Sequence, residues 1–241
     1  MGKVGIKNER FSKYLKYKLD KENIEVDDLY NIIEMTLNKN DEKDQVTDFQ
    51  IDGIKYFKNL EELYIKNFSI TASNAREICK LKNLRKIVFF NCDFQKNINF
   101  SKIIDKVEIL NCNNTNNIKK ISAEYIKISN TEIDFKYTKL LNNAKKIMIL
   151  NCFLDFNIGV NKNKKIIINF AKTKDLYIIN SKINNILFKF KKLEVFKNIS
   201  NEIESEVIEY ITKNDKKRNI KLIDTEEYVE FVKRENGDMN V

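Results

Sequence analysis

The sequence contains no histidine, no proline and no tryptophan, and only five glycines among its 241 residues. Without histidine there is no Ser-His or Cys-His nucleophile pair, no histidine general base and no histidine-ligated metal within the chain. The glycines form neither a GxxxxGK nor a GxGxxG arrangement, which argues against a phosphate-cradling loop. Long apolar runs are missing too. None approaches the roughly 18 consecutive residues of a membrane helix, so no span is expected. Met1-Gly2-Lys3-Val4-Gly5 leads into a charged helical stretch with no apolar core of a secretory signal. Carboxylate or lysine catalysis would need a distinctive spacing, and no pair stands out. The chain reads as a non-enzyme that needs no cofactor.

What is abundant is lysine, asparagine and isoleucine, the composition that low-GC coding produces. The 44 basic residues against 35 acidic ones give a net charge of +9 and a pI near 9.1. Such a balance invites nucleic-acid or polyanion binding through a lysine-rich surface. Arginine, the better residue for bidentate phosphate and guanine contacts, is confined to positions 10, 76, 85, 218 and 234. Polyanion binding is therefore the alternative reading rather than the leading one. Hydrophobic residues make up 42% of the chain, enough for one continuous core, so residues 1–241 are expected to form a single domain. Four cysteines, read as reduced, point to the cytoplasm. A secreted or surface location would require a native signal peptide to have been removed.

The organising feature is a repeated phrase: apolar, any, apolar, any, Asn. It occurs as Leu63-Tyr64-Ile65-Lys66-Asn67, Ile87-Val88-Phe89-Phe90-Asn91 and Val107-Glu108-Ile109-Leu110-Asn111. It returns as Ile126-Lys127-Ile128-Ser129-Asn130, Ile147-Met148-Ile149-Leu150-Asn151 and Leu176-Tyr177-Ile178-Ile179-Asn180. The first five copies start 24, 20, 19 and 21 residues apart. An apolar or small residue stands three positions before each of them, at Leu60, Leu84, Ile104, Ala123 and Ala144. After the Asn comes Phe68, Cys92, Cys112, Thr131, Cys152 or Ser181, and usually an apolar residue two further on, as at Ile70, Phe94, Ile133, Leu154 and Ile183. Alternation over five residues makes a short strand with one face inward. A turn and a variable return segment then bring the chain back beside itself, so each repeat buries its apolar face against its neighbours. Ile166-Ile167-Ile168 lies too close to Leu176 to be a repeat and is expected as a return segment or an irregular insertion on the convex side. Leu193-Glu194-Val195-Phe196 is expected as the next strand and Ile220-Lys221-Leu222-Ile223 as the last.

Exposed solenoid ends need caps. Phe11, Tyr14, Leu15 and Leu19 fall at helical spacing. A turn at Asn23 leads into a second helix start at Glu25-Val26-Asp27-Asp28-Leu29, and Met35-Thr36-Leu37 is expected as a strand. At the other end, Ser200 and Asn201 can cap a helix bearing Ile203, Val207, Ile208 and Ile211. A further helix is expected near Thr225, with Tyr228, Phe231 and Val232 on its apolar face, before a frayed tail. The division is then 1–45 for an N-terminal helical cap, 46–198 for the repeats and 199–241 for a C-terminal helical cap and tail.

The recurring phrase resembles the leucine-rich-repeat pattern L-x-x-L-x-L-x-x-[N/C]-x-L. The helical start, followed by Gly53-Ile54-Lys55-Tyr56-Phe57-Lys58-Asn59-Leu60, resembles the N-terminal region of bacterial internalin-like leucine-rich-repeat proteins. The likeness covers roughly residues 9–95, and the rest as generic repeats. It implies a curved α/β leucine-rich-repeat solenoid of about seven to eight strands. The sequence departs from that family in its irregular repeat length and its lack of proline.

Cys92, Cys112 and Cys152 share the repeat position where the resemblance places a buried Asn or Cys that serves the turn, so they read as structural rather than as metal or redox sites. Strand spacing of about 4.8 Å does not by itself exclude a disulfide between neighbouring copies, but packed core positions argue against one. The Asn column reads first as a hydrogen-bonding element of the turn. If the paired apolar residues point inward, the residues between and after them point outward. These are Tyr64 and Lys66, Val88 and Phe90, Glu108 and Leu110, Lys127 and Ser129, Met148 and Leu150, Tyr177 and Ile179, and Glu194 and Phe196. Phe90, Leu110, Leu150, Ile179 and Phe196 form an apolar row, with Tyr64, Val88, Met148 and Tyr177 beside it. Lys86, Lys106 and Lys146 edge this stripe within a column that also holds Glu62, Tyr125, Asp175 and Lys192. An apolar centre with a charged rim is the composition of a protein-binding site. The expected function is partner binding on this stripe, the partner being another protein, or alternatively a second copy of the chain.

Overall fold

The computed structural model describes residues 5–39, 51, 53–132, 141, 144–154, 166–170, 172–183, 186–190, 192–199, 202–203 and 221–223. The chain opens with helices α1 (Glu9–Leu19) and α2 (Val26–Tyr30), then β1 (Glu34–Asn38), β2 (Glu62–Lys66), β3 (Ser69–Ile70) and α3 (Ala72–Ile78). It continues with β4 (Lys86–Phe90), β5 (Asp93–Phe94), β6 (Ile98–Leu110), β7 (Ile118–Ser129), β8 (Lys146–Leu150) and β9 (Phe153–Leu154). Then come β10 (Ile166–Phe170), β11 (Asp175–Ile179), β12 (Lys182–Ile183), β13 (Ile186–Phe190), β14 (Val195–Ile199), β15 (Glu202–Ile203) and β16 (Lys221–Ile223).

The repeats wind into a parallel β-solenoid. One side is a nine-stranded sheet in the order β1-β2-β4-β6-β7-β8-β11-β14-β16, one more strand than the upper expectation. All its pairings are parallel, and the repeated phrases align residue for residue: Leu63 beside Ile87, Ile87 beside Val107, Ile126 beside Ile147 and Ile147 beside Leu176. A second side consists of short rungs, β3 with β5 and β9 with β12 with β15. The return side carries β10 paired with β13, which makes Ile166–Phe170 the return segment that its spacing suggested.

From β2 to β11, the corner after each strand of the nine-stranded sheet is made by an asparagine. Asn67, Asn91, Asn111, Asn130, Asn151 and Asn180 all lie in the left-handed region, with φ from 46° to 64°. Asparagine tolerates this conformation better than other side-chain-bearing residues because its short amide bonds locally. The buried residue that follows closes the corner. Cys112 Sγ donates to the Leu110 carbonyl (3.2 Å), Thr131 Oγ1 to that of Ser129 (2.8 Å), Cys152 Sγ to that of Leu150 (3.2 Å) and Ser181 Oγ to that of Ile179 (2.9 Å). All four cysteines are free thiols. Burial pushes the Cys152 thiol up to about 11, and the hydrogen bond with Cys112, then burial, raise Cys92. The same bond lowers Cys112, and all three thiols are buried at the corners, where they donate to backbone carbonyls.

Turn length decides what the return side is made of. The turn from Asn67 to Asn91 spans 24 residues and holds α3, capped by Thr71 Oγ1 accepting from the Asn74 N–H at 3.1 Å. The turn from Asn91 to Asn111 spans 20. A helix advances about 1.5 Å per residue and a strand about 3.3 Å, so the shorter turn must return in extended chain. The first half of β6 does this, pairing Ile98 with Ile118 of β7. The core sits between the sides. In one turn, Phe89 from the main sheet meets Phe94 from the short side (ring centroids 5.2 Å apart, edge-on) and Phe100 from the return (5.5 Å). All three are fully buried. Phe11, Tyr14 and Leu15 of α1 belong to this same core.

Two expectations are corrected. Phe196 pairs with Leu176, so it points inward with the core, and the register expected for Leu193–Phe196 was three residues early. Leu193 instead occupies the buried position before the strand, in line with Leu60, Leu84, Ile104, Ala123, Ala144 and Thr173. Val195, not Lys192, therefore follows Asp175 in the rim column, and Glu194 leaves the outward set. The second correction is at the C-terminal end. Ile203 lies in β15, paired with Ile183 of β12, and so is not part of the helix expected there. Val207, Ile208, Ile211, Tyr228, Phe231 and Val232 lie outside the described residues, as does Ile133.

The left-handed corner makes a stability prediction. Asn151→Val should lower unfolding free energy by about 1–2 kcal/mol, since a β-branched residue is strained at this φ, whereas Asn151→Gly should cost clearly less. Urea unfolding of both variants checks the ranking, and equal losses would count against a conformational role for the asparagine.

Candidate functional site

The outward face of the nine-stranded sheet carries every candidate residue except Phe196. Three columns run across it. The first holds Glu62, Lys86, Lys106, Tyr125, Lys146 and Asp175; the second Tyr64, Val88, Glu108, Lys127, Met148 and Tyr177; the third Lys66, Phe90, Leu110, Ser129, Leu150 and Ile179. In register, these columns put one residue of each type about 4.8 Å from its neighbour.

The face is not uniformly open. Val88, Glu108, Leu110, Lys127, Ser129, Met148, Leu150 and Ile179 are buried, with Ile179 at 0% and Met148 at 1% exposure. Leu150, Ile179 and the half-buried Tyr177 pack together as a second apolar cluster, separate from the solenoid core. The continuous accessible stripe expected from the sequence is thus interrupted from Leu110 onward. The third column is open at Phe90, which is 39% exposed, and Tyr64 and Lys66 beside it are half-buried. Thr36 and Asn38 of β1 extend the accessible area at the same level.

The charged column is engaged within the face. Lys86 Nζ donates to Tyr64 Oη (2.7 Å) and pairs with Glu62 (3.1 Å), while Tyr64 Oη donates to Glu62 Oε2 (2.6 Å). The same ammonium lies over the Tyr64 ring at 4.9 Å. Lys106 and Lys146 flank the Tyr125 ring at 5.3 and 4.9 Å, and Lys146 also sits 4.9 Å from the Tyr177 ring. Cations held over phenol faces are attracted by the ring quadrupole, more strongly when partly desolvated. Glu108 is shared by Lys106 (2.7 Å) and the buried Lys127 (4.0 Å). The electrostatic consequence is clearest at the β2–β4 end. The Tyr64 hydrogen bond, with help from Lys86, holds Glu62 below the usual carboxylate range against a smaller opposing effect of burial. Burial works to lower the Lys86 pKa, but its bonds to Tyr64 and Glu62 prevail and raise it. Burial and the Glu62 contact raise Tyr64.

Sequence reasoning placed the stripe on the correct face and missed two things. One is the Glu108–Lys127 pair, although opposite charges in the same column of neighbouring repeats were visible. The other is Asn38, which continues the accessible area beside Lys66 and Phe90. The asparagine corners line the same edge: Asn91 Nδ2 donates to Asn67 Oδ1 (2.6 Å) and Asn180 Nδ2 to Asn151 Oδ1 (2.7 Å). Among the described residues, no cluster of three or more Cys, Asp or Glu side chains could hold a metal ion, and no helix is long and apolar enough to cross a membrane. Compared with known protein families and with curated proteins, the chain matches none.

Two measurements follow from this geometry. Leu150→Glu should lower the melting temperature strongly, because it buries a charge without a partner, while Phe90→Glu should leave it nearly unchanged. Equal effects would mean that the face is evenly open or evenly covered. Tyr64→Phe should raise the Glu62 pKa toward its ordinary value, read by NMR titration of the carboxyl carbon. Because the folded pKa is depressed, this interaction stabilises the fold above the unfolded-state pKa and fades as pH falls through the folded one. The variant should therefore show less loss of stability across that acid range.

Proposed function

We propose that the chain is an internalin-like leucine-rich-repeat recognition module that holds a protein partner on the outward face of its parallel sheet. The observation that carries this reading is Phe90. It is a large apolar side chain on the sheet face, and it stays exposed where the following members of its column are buried. Lys66 is its partner on the neighbouring strand, with Tyr64 next on that face and Lys86 at the other end of β4, an amphipathic aromatic and two cations suited to a polar rim. Val88, Leu110, Met148, Leu150, Tyr177 and Ile179 support this end from within the face instead of meeting the partner directly. Lys106 and Lys146 serve as the rim beyond it.

Binding of this kind needs no cofactor and no catalytic group, in keeping with a sequence that has no histidine. The lysines of the rim column weigh against a polyanion as the ligand, since Lys86 and Lys106 already face carboxylates and Lys146 lies between two tyrosine rings.

Affinity capture from the lysate of the producing cell, with wild type and Phe90→Glu side by side, tests the proposal. Recovery of the partner should fall by about tenfold or more in the variant, with circular dichroism and melting temperature unchanged. Equal recovery would remove this face as the site. Retention on heparin with a steep salt dependence, unaffected by Phe90→Glu, would move binding to the lysine surface.

A further inference from the structure

The buried column beneath the corners reads Phe68, Cys92, Cys112, Thr131, Cys152 and Ser181 along consecutive turns. At one place in it two thiols stand on neighbouring turns, Cys92 and Cys112. Cys152 has a hydroxyl on either side, and Cys79 lies outside the column, just after α3.

The backbone holds the pair side by side. The Cys92 carbonyl accepts from the Asn113 N–H (2.9 Å), and the Asn91 N–H donates to the Leu110 carbonyl (2.9 Å). Neighbouring strands of a sheet stand about 4.8 Å apart, inside the range of about 4.4–6.8 Å between Cα atoms that a disulfide spans. The side chains lean the same way. Three times in this column a backbone N–H reaches the side-chain heteroatom of the next turn: Cys92 to Cys112 Sγ (3.4 Å), Cys112 to Thr131 Oγ1 (3.2 Å) and Cys152 to Ser181 Oγ (3.1 Å). Cys112 Sγ is thereby set against Cys92, and the two thiols share a hydrogen bond.

The corner does not depend on their S–H donors. Cys92 donates to the Phe90 carbonyl (3.5 Å) and Cys112 to that of Leu110 (3.2 Å). Those carbonyls also accept from the N–H groups of Asn67 (3.0 Å) and Asn91 (2.9 Å). The other carbonyls that the thiols reach, of Ile65 and Phe89, belong to residues paired within the sheet. Loss of both thiol protons therefore orphans no acceptor at the bend.

We propose that Cys92 and Cys112 form a redox modification site, at which a hydroperoxide joins them in a disulfide that ties two turns together at the exits of β4 and β6. The Cys92 hydrogen bond holds the Cys112 thiol below its ordinary value, so Cys112 supplies the attacking sulfur. Its thiolate takes one oxygen of hydrogen peroxide. The O–O bond breaks, leaving a sulfenic acid and releasing hydroxide. The Cys92 sulfur then displaces that oxygen and the S–S bond forms. Two electrons pass from sulfur to the peroxide, and the two thiol protons end in two waters. Burial selects the oxidant. Cys92 and Cys112 are 1% and 3% exposed, one residue beneath the exposed Asn91, Asn111 and Asn113. A molecule of the size of hydrogen peroxide suits that depth, and a bulky disulfide does not.

The test treats the folded wild-type chain with hydrogen peroxide, then alkylates it in denaturant and maps the peptides by mass spectrometry. Cys79 and Cys152 should take the label, while Cys92 and Cys112 appear as one linked pair, two hydrogens lighter. Dithiothreitol should return all four to the labelled form. The linked chain should melt roughly 5–10 °C above the reduced one, because the bridge closes a loop in the unfolded state. Oxidised glutathione should leave all four thiols free. Four labelled thiols after peroxide overturn the proposal, as does a link to Cys79 or Cys152, oxidation that stops at a single sulfur, or a linked chain that melts below the reduced one. Linkage by oxidised glutathione as fast as by peroxide overturns the assignment of the oxidant.

Discussion

From β2 to β11, each turn of this solenoid passes its backbone hydrogen bonds to the next through a left-handed asparagine corner, and the alignment of these strands depends on that corner repeating. The Asn67 N–H reaches the Phe90 carbonyl, Asn91 reaches Leu110, Asn111 reaches Ser129, Asn130 reaches Leu150 and Asn151 reaches Ile179. The ladder therefore continues one residue beyond each strand, into the bend itself. Beneath it a thiol or hydroxyl closes the same carbonyl from inside, so the bend is buried without orphaned groups. A chain without proline and with few glycines can make tight corners in this way because asparagine bears the positive φ at low cost.

A sheet held in strict parallel register has two faces, and both are apolar here. Ile87 and Phe89 point into the solenoid, and Val88 and Phe90 point away from it. Parallel sheets are commonly covered on both sides, which is why their strands read as continuous apolar runs. In this chain the second and third columns of the outward face are largely buried from β6 to β11, and the third is exposed at Phe90. The charged column beside it is organised by contacts between rungs, with lysines lying over tyrosine rings and Glu108 held between Lys106 and Lys127. At the β2–β4 end of the face, the exposed side chain of Phe90 lies beside the half-buried Lys66.

The fold was legible because its signals are local and repeated. Six copies of one phrase align on six consecutive strands from β2 to β11, and the Cys, Thr and Ser column falls at one buried level. Legibility failed where a copy lacked its asparagine. Around residue 193 the apolar alternation favours Leu193-Glu194-Val195, because the observed strand puts Asn198 at the level where the other copies carry their second inward apolar residue. The column of buried residues three positions before each strand held the answer, since Leu193 continues Ala144 and Thr173 and puts the first inward residue at Phe196. At Ile203, a helical spacing of apolar residues competed with a short rung whose partner, Ile183, is distant in sequence.

What the sequence alone determined is which residues share a face, because alternation along a strand is a property of the backbone pleat. It also determined where the corners fall, since left-handed φ selects asparagine. What only the tertiary structure decided is which of the outward residues meet water. Leu150 and Phe90 occupy the same column and look alike in sequence, yet one is buried and the other is exposed. Burial of an outward residue depends on what chain lies above it, and no pattern within the strand encodes that. The same holds for Tyr14, whose place at helical spacing announced a core residue, while its two hydrogen bonds to the edge of β1 exist only because the fold brings α1 to the end of the sheet.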